Sequence, residues 1–227
     1  MISQNPYSSF NPRLSVGETL METLVIRRRG SRVQRRAKVI ETLERVGFAE
    51  QDFDKLPHQF SGGQRQRIAI ARAIIVQPQL VVCDEPVSAL DVSLQAQVLN
   101  LLKDMQKELG LSLLFISHDM SVVRYMSDTV GVMYAGRLAE EGEADNLLHN
   151  PRHPYTSALL SAVPRLPGED GPERISLKGE LKTPDGSLAG CLFQNRCRSA
   201  MDICRTTPPP RVRFDDAGHW AECHLYR

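Results

Sequence analysis

Apolar residues recur along the chain with two distinct periods. Over 33–47, Val39, Leu43 and Val46 fall at helical spacing and Gly47 supplies a stop, so the pattern predicts a helix. A second helix is expected from Gly62 to about Val76. Val98, Leu101, Leu102, Met105 and Leu109 trace one face of a long helix that ends at Gly110. Two short apolar runs, 80–83 and 113–117, are bounded by turn or polar residues and read as fully buried strands of a parallel sheet. Strand, helix and strand in that order make an α/β unit. Residues 130–134 and 138–141, joined across Ala135 and Gly136, predict a hairpin, and 154–162 a helix with proline just inside its start. The first thirty residues, where Asn5, Pro6, Ser8, Ser9, Asn11 and Pro12 crowd together, favour turns over regular structure. Beyond Pro164, proline, glycine and charge dominate through Gly190, which sets a boundary near 164–171.

Composition narrows the picture. With 227 residues, 41% of them hydrophobic and 24% charged, the chain can bury a core in one large or two unequal domains. Lys and Arg number 28 against 27 Asp and Glu, and this near balance removes the electrostatic case for a protein that coats nucleic acid. No apolar run approaches the ~20 residues that cross a bilayer, so a membrane role would be peripheral. The start of the chain has neither a basic nor an apolar leader segment, and the expected compartment is the cytoplasm. Four of the five cysteines follow Gly190, which suits one metal-binding group plus one buried thiol, Cys83, better than an extracellular disulfide framework.

Four motifs in fixed order carry chemistry. Ser61-Gly62-Gly63-Gln64 opens a helix, where a hydroxyl, unobstructed backbone N–H groups and the positive helix end suit a phosphate; the same residues also suit an ordinary N-cap. The run 80–83 then delivers Asp84 and Glu85 to the carboxyl edge of a sheet, where open α/β folds bind ligands. Asp84 offers hard oxygens to Mg²⁺ and Glu85 can polarise an attacking water. Ser88-Ala89-Leu90-Asp91 follows at once, and Ser117-His118-Asp119 closes the next strand.

This order resembles the ATP-binding subunits of ABC transporters. On that resemblance Ser61 to Gln64 are the signature motif, Leu80 to Glu85 the Walker B strand, Ser88 to Asp91 the D-loop, His118 the switch histidine, and Gln4 the Q-loop glutamine that senses Mg²⁺. It implies ATP and Mg²⁺ as ligands, Asp84 for the metal, Glu85 as general base and His118 on the γ-phosphate. The signature residues would meet a partner's ATP. The fold it implies is a partial P-loop NTPase core of parallel strands and a helical subdomain over 1–164, followed by a small irregular Cys-rich extension over 165–227. The phosphate loop itself, Gly-x-x-x-x-Gly-Lys-Ser/Thr, is missing, since no Gly-Lys dipeptide occurs. The chain is therefore expected to lack its nucleotide-gripping lobe, by truncation, alternative start or gene decay, with exposed sheet edges and marginal stability as consequences.

The segments 150–160 and 190–197, with Cys204 and Cys223-His224, resemble the extension of oligopeptide and dipeptide importers. Cys191, Cys197, Cys204 and Cys223 stand at spacings that allow a zinc site, a [4Fe-4S] cluster or unliganded thiols, with His219 and His224 as substitute ligands; the resemblance implies iron-sulfur. It also implies a second ATPase subunit, two membrane permease subunits and an extracytoplasmic solute-binding protein as partners, no nucleic acid, and a place on the cytoplasmic face of the inner membrane. A competing expectation is a non-hydrolytic half-site that lends only its signature motif to a partner. The basic run at Arg27, Arg28, Arg29, Arg32, Arg35, Arg36 and Lys38 reads as a solvated helix face, and Trp220 as packing for the tail.

Overall fold

The computed structural model describes residues 1–4, 10–28, 30–163, 173–177, 189–214 and 218–226. The boundary expected near 164–171, and Arg29 of the basic run, lie outside these. The chain divides into two compact units, residues 1–118 and 119–227.

The first unit begins with a helix where turns were expected. In α1 (Val16–Ile26) the Ser15 hydroxyl accepts from the Glu18 amide at 3.1 Å and the Glu18 carboxylate accepts from the Ser15 amide at 2.8 Å. This capping box satisfies two of the N–H groups that a helix start leaves open. Val16, Leu20 and Leu24 then bury one stripe. Gly17 permits a close approach: a Cβ there would stand 2.4 Å from the Phe53 ring. α2 (Arg32–Arg45) buries Val39 and Leu43 and exposes its basic face, on which Arg36 pairs with Glu50 and Lys38 with Glu41. α3 (Gly62–Ile74), β1 (Leu80–Asp84), α4 (Val92–Leu109) and β2 (Ser112–Ile116) follow as the periodicity indicates. Gly110 ends α4 in the left-handed conformation, at φ 62°.

β1 and β2 pair in parallel, Leu80 opposite Ser112 and Asp84 opposite Ile116. They are not fully buried strands. Val81 and Cys83 on one face are 2% and 0% exposed, whereas Leu80, Leu114 and Ile116 on the other are 55%, 53% and 47% exposed. An apolar run reports that both faces suit a partner; among the described residues only one face has one.

In the second unit α5 (Met120–Met126) leads into a hairpin of β3 (Thr129–Tyr134) and β4 (Arg137–Glu143). Its two turn residues, Ala135 and Gly136, both have positive φ, 48° and 81°, as a two-residue hairpin loop requires. α6 (Ala144–His149) and α7 (Pro154–Ser161) come next. The Cys-rich segment is not simply irregular: besides α8 (Ile203–Thr206) it forms β5 (Arg211–Arg213) and β6 (Trp220–Glu222), giving a four-stranded antiparallel sheet in the order β3-β4-β6-β5. Register explains why sequence alone hid this, since β4 and β6 share only two pairs, Glu140 with Ala221 and Glu141 with Trp220. Trp220 is buried in β6 as expected, with the Arg211 guanidinium 3.7 Å from its ring centre.

Candidate functional site

A parallel bridge lays the start of the chain beside β1. The Ile2 N–H donates to the Val82 carbonyl and the Asp84 N–H to the Ile2 carbonyl, each at 2.8 Å. Two residues on, that register sets Gln4 beside Glu85, and its Nε2 donates to Glu85 Oε2 at 2.8 Å. From the other flank the Glu85 N–H donates to the Ile116 carbonyl at 3.0 Å, and His118, just past β2, brings Nδ1 to 3.0 Å from Glu85 Oε1. An ionised carboxylate only accepts, so the imidazole donates from Nδ1 and keeps Nε2 for another partner. Glu85 sits at φ 45°, a left-handed conformation that costs a non-glycine residue about 1 kcal/mol or more. The neighbouring strand and loop hold it there and turn its carboxylate out of the line of β1. Asp84, half-buried at the strand end, has no side-chain hydrogen bond or ion pair among the described residues. Its free oxygens suit a hard cation. A carboxylate held at both oxygens and partly open to solvent can take a proton from a water placed against it.

The serine-glycine turn serves the helix that it opens. Ser61 caps α3: its hydroxyl accepts from the Gln64 amide at 3.3 Å, and Gln64 Oε1 accepts from the Ser61 amide at 2.9 Å. A Cβ on Gly63 would come 3.1 Å from Leu94, so the missing side chain there lets α3 lie close to α4. Asp91 caps α4 through the Leu94 amide at 3.0 Å. Ser61 and Gln64 remain exposed. The structure shows the cap, and its exposure leaves the turn open to solvent.

In the second unit Cys191, Cys197, Cys204 and Cys223, all free thiols, line one largely enclosed cavity together with His153 and His224. Burial pushes the thiols of Cys191, Cys197 and Cys223 above the usual range, and the proximity of other cysteines in the group adds to this. Acting the other way, each of the three receives a backbone N–H from two residues on: Phe193, Ser199 and Leu225. His224 Nε2 donates to the Thr207 carbonyl at 2.9 Å, and its buried Nδ1 has no hydrogen-bond partner. Among the described residues no three His, Cys, Asp or Glu side chains converge tightly enough for a single ion. His219 does not line this cavity; its Nε2 lies 2.8 Å from Glu140 Oε1. Cys83 is a core residue as expected, its thiol pushed up to about 11 by burial.

Two groups escaped sequence reasoning. Glu140 is completely buried in β4, and His153 caps α7, its Nδ1 accepting from the Tyr155 amide at 3.1 Å. Burial lowers His153 to about 4, against a smaller upward pull from Glu140. Proline at 154, a residue that favours helix starts, was the available signal for His153; nothing local marked Glu140.

Comparison with known proteins agrees with the geometry. The ABC transporter family model matches residues 1–88, and the model of the oligopeptide/dipeptide transporter C-terminal region matches 139–204. Among solved structures, cbiO1 from Clostridium perfringens, part of the ABC transporter complex cbiONQ, has a TM-score of 0.59 at 30% identity, covering 66% of this chain and 58% of that one. The ATP-binding cassette MJ0796, dimeric in a post-hydrolysis state with ADP and Pi, has a TM-score of 0.53 at 30% identity, with 63% of each chain covered. By fold and sequence the chain thus belongs to the ABC transporter class. The dipeptide transport ATP-binding protein DppF of Haemophilus influenzae is 53% identical over 99% of this chain and 69% of its own length. That of Escherichia coli is 54% identical over 92% of this chain and 63% of its own length, and the putative oligopeptide transport ATP-binding protein YkfD of Bacillus subtilis is 49% identical over 100% and 70%. Within the ABC class, the chain belongs to the oligopeptide/dipeptide transport ATP-binding family.

Proposed function

We propose that this chain is an ATP-hydrolysing subunit, peripheral to the membrane, that energises a peptide-type importer. The observation that carries the reading is the assembly of Gln4, Glu85 and His118, from three separate segments, on one carboxylate. Glu85 takes the proton of the attacking water, while Gln4 and His118 fix its two oxygens. Asp84 holds Mg²⁺, with Gln4 as a further ligand through its amide oxygen. When bound, Mg²⁺ supplies neutralisation of the phosphate charge. His118 reaches the γ-phosphate with Nε2, the nitrogen not spent on Glu85. Ser61, Gly62, Gly63, Gln64 and Asp91 form the surface offered to a partner's ATP, a role that the exposure of Ser61 and Gln64 supports. No helix among the described residues is long and apolar enough to cross a membrane. The chain accordingly works with a second ATPase subunit, two permease subunits and an extracytoplasmic solute-binding protein, at the cytoplasmic face.

The 227 residues hold no Gly-Lys dipeptide, so the grip on the β- and γ-phosphates must come from residues outside them. That observation favours a second reading, a half-site that contributes only its signature surface. Mg-ATP titration and phosphate release separate the two. The chain alone should bind weakly; assembled with a polypeptide that bears the phosphate loop it should hydrolyse ATP, and Glu85→Gln should abolish this. Equal hydrolysis with Glu85→Gln would leave only the half-site reading.

For the four thiols we infer a [4Fe-4S] cluster rather than zinc. Tetrahedral zinc draws its thiolates to within about 3.8 Å of one another, and no three donors here converge for a single ion. A four-iron cube takes each thiolate on a different iron, at wider separations, and is helped by backbone N–H groups near the sulfurs, such as those that pull down the thiols of Cys191, Cys197 and Cys223. Anaerobically purified protein should absorb near 400 nm; a colourless sample that contains zinc would overturn this.

A further inference from the structure

Glu140 has no place in the ATP chemistry, yet it is among the most completely buried polar residues, at 0% exposure. A carboxylate in such a position survives only if its oxygens are fully engaged. Oε1 accepts from the Arg152 amide at 2.6 Å and lies 2.8 Å from His219 Nε2; Oε2 accepts from the His153 amide at 2.9 Å. Three stretches of chain therefore meet on one side chain: β4 itself, the start of α7, and the segment that enters β6. Gly142 in the same strand makes room for the imidazole, since a Cβ there would stand 3.0 Å from the His219 ring.

Two of these stretches, the start of α7 and the segment through β6, lead to the cysteine cavity. His153 lines it, and its ring centre lies 5.7 Å from that of Phe193, two residues from Cys191. Cys223, also in the lining, follows β6 directly, and β6 is held to β4 by only two residue pairs. Two pairs are a weak hold on a strand of three residues. We propose that Glu140 is the positioning residue of the cavity, its carboxylate clasping His219 to the Arg152 and His153 amides and so keeping Cys223 beside the other three thiols. The clasp is a property of the protein itself. Its iron-dependent consequence rests on the cluster reading above.

The experiment compares the full chain with Glu140→Gln, His219→Leu and His219→Gln, the last retaining a side-chain N–H for Glu140. Two readouts are taken: iron bound and absorption near 400 nm after anaerobic reconstitution, and the alkylation rate of each cysteine in iron-free protein, read by mass spectrometry. Losing a hydrogen bond to a charged group should expose Cys223 about tenfold more often. Glu140→Gln and His219→Leu should therefore alkylate about tenfold faster at Cys223, with Cys191 little changed, and should hold less iron; His219→Gln should stay near the parent. Should Glu140→Gln fail to fold, the His219 pair decides alone. A colourless parent in which Cys223 protection still depends on Glu140 would remove the cluster and leave the clasp standing. Unchanged Cys223 protection in both Glu140→Gln and His219→Leu would overturn the clasp, whether or not the parent is coloured.

Discussion

The two units each contain a glutamate bonded to a histidine, and the two pairs are built for opposite ends. Glu85 meets His118 at 3.0 Å with the imidazole side chain 74% exposed; Glu140 meets His219 at 2.8 Å with side-chain exposures of 0% and 2%. The first pair keeps one imidazole nitrogen and part of the carboxylate open to whatever arrives, so proton transfer to and from it is feasible. The second has spent its carboxylate on backbone amides and on the ring, and a proton arriving there would break the structure that holds it. The same two residue types thus give an open pair or a sealed one, according to whether water can reach them.

If that contrast holds, the largest stability effect belongs to the buried pair. Glu140→Gln should destabilise the second unit by about 1.5–3 kcal/mol, seen as an earlier urea transition in the fluorescence of Trp220, the chain's single tryptophan. Acid offers a second handle on the same region. In the folded chain His153 remains neutral down to about 4, whereas the unfolded imidazole takes its proton near 6.5. Between those values the unfolded state binds more protons, so stability is complete above pH 6.5 and falls as pH drops toward 4, by roughly 3 kcal/mol in all. The difference between parent and His153→Asn across urea melts at several pH values isolates this residue from the carboxylates that titrate below it. Gly142→Ala, which crowds the His219 ring, should cost about 1–3 kcal/mol in the same assay. The smallest change belongs to the first unit: Ser15→Ala removes the α1 cap for about 1 kcal/mol, measured by circular dichroism, and should leave the Trp220 transition unmoved.

How much of this could be read from the chain differs between the pairs for a physical reason. Asp84, Glu85 and His118 are marked by the apolar runs that precede them, because a strand fixes where its last residue emerges. The structure accordingly brings Glu85 and His118 together at those strand ends, and the helices over 33–47, 62–76 and 154–162 formed close to the expected bounds. α1 was hidden behind the proline- and serine-rich opening, although Ser15 and Glu18 stand at capping-box spacing. The exposed face of β1 and β2 was illegible because hydrophobicity describes a face and not its cover. Glu140 was out of reach: its partner His219 lies 79 positions away, and a glutamate in an ordinary hairpin strand looks like a solvated one. The cysteines were visible in the sequence, but their gathering around one cavity involves strands joined by the short β4-β6 pairing, which leaves no periodic trace.

The contrast turns on Glu85 as an open, working carboxylate. Phosphate release by the chain assembled with its phosphate-loop partner, compared between parent and Glu85→Gln, tests this most directly. Turnover should fall by about 10²- to 10⁴-fold while the urea transition of the first unit, followed by circular dichroism, stays within about 0.5 kcal/mol of the parent. Retained turnover in Glu85→Gln, or a loss fully explained by unfolding, would contradict it.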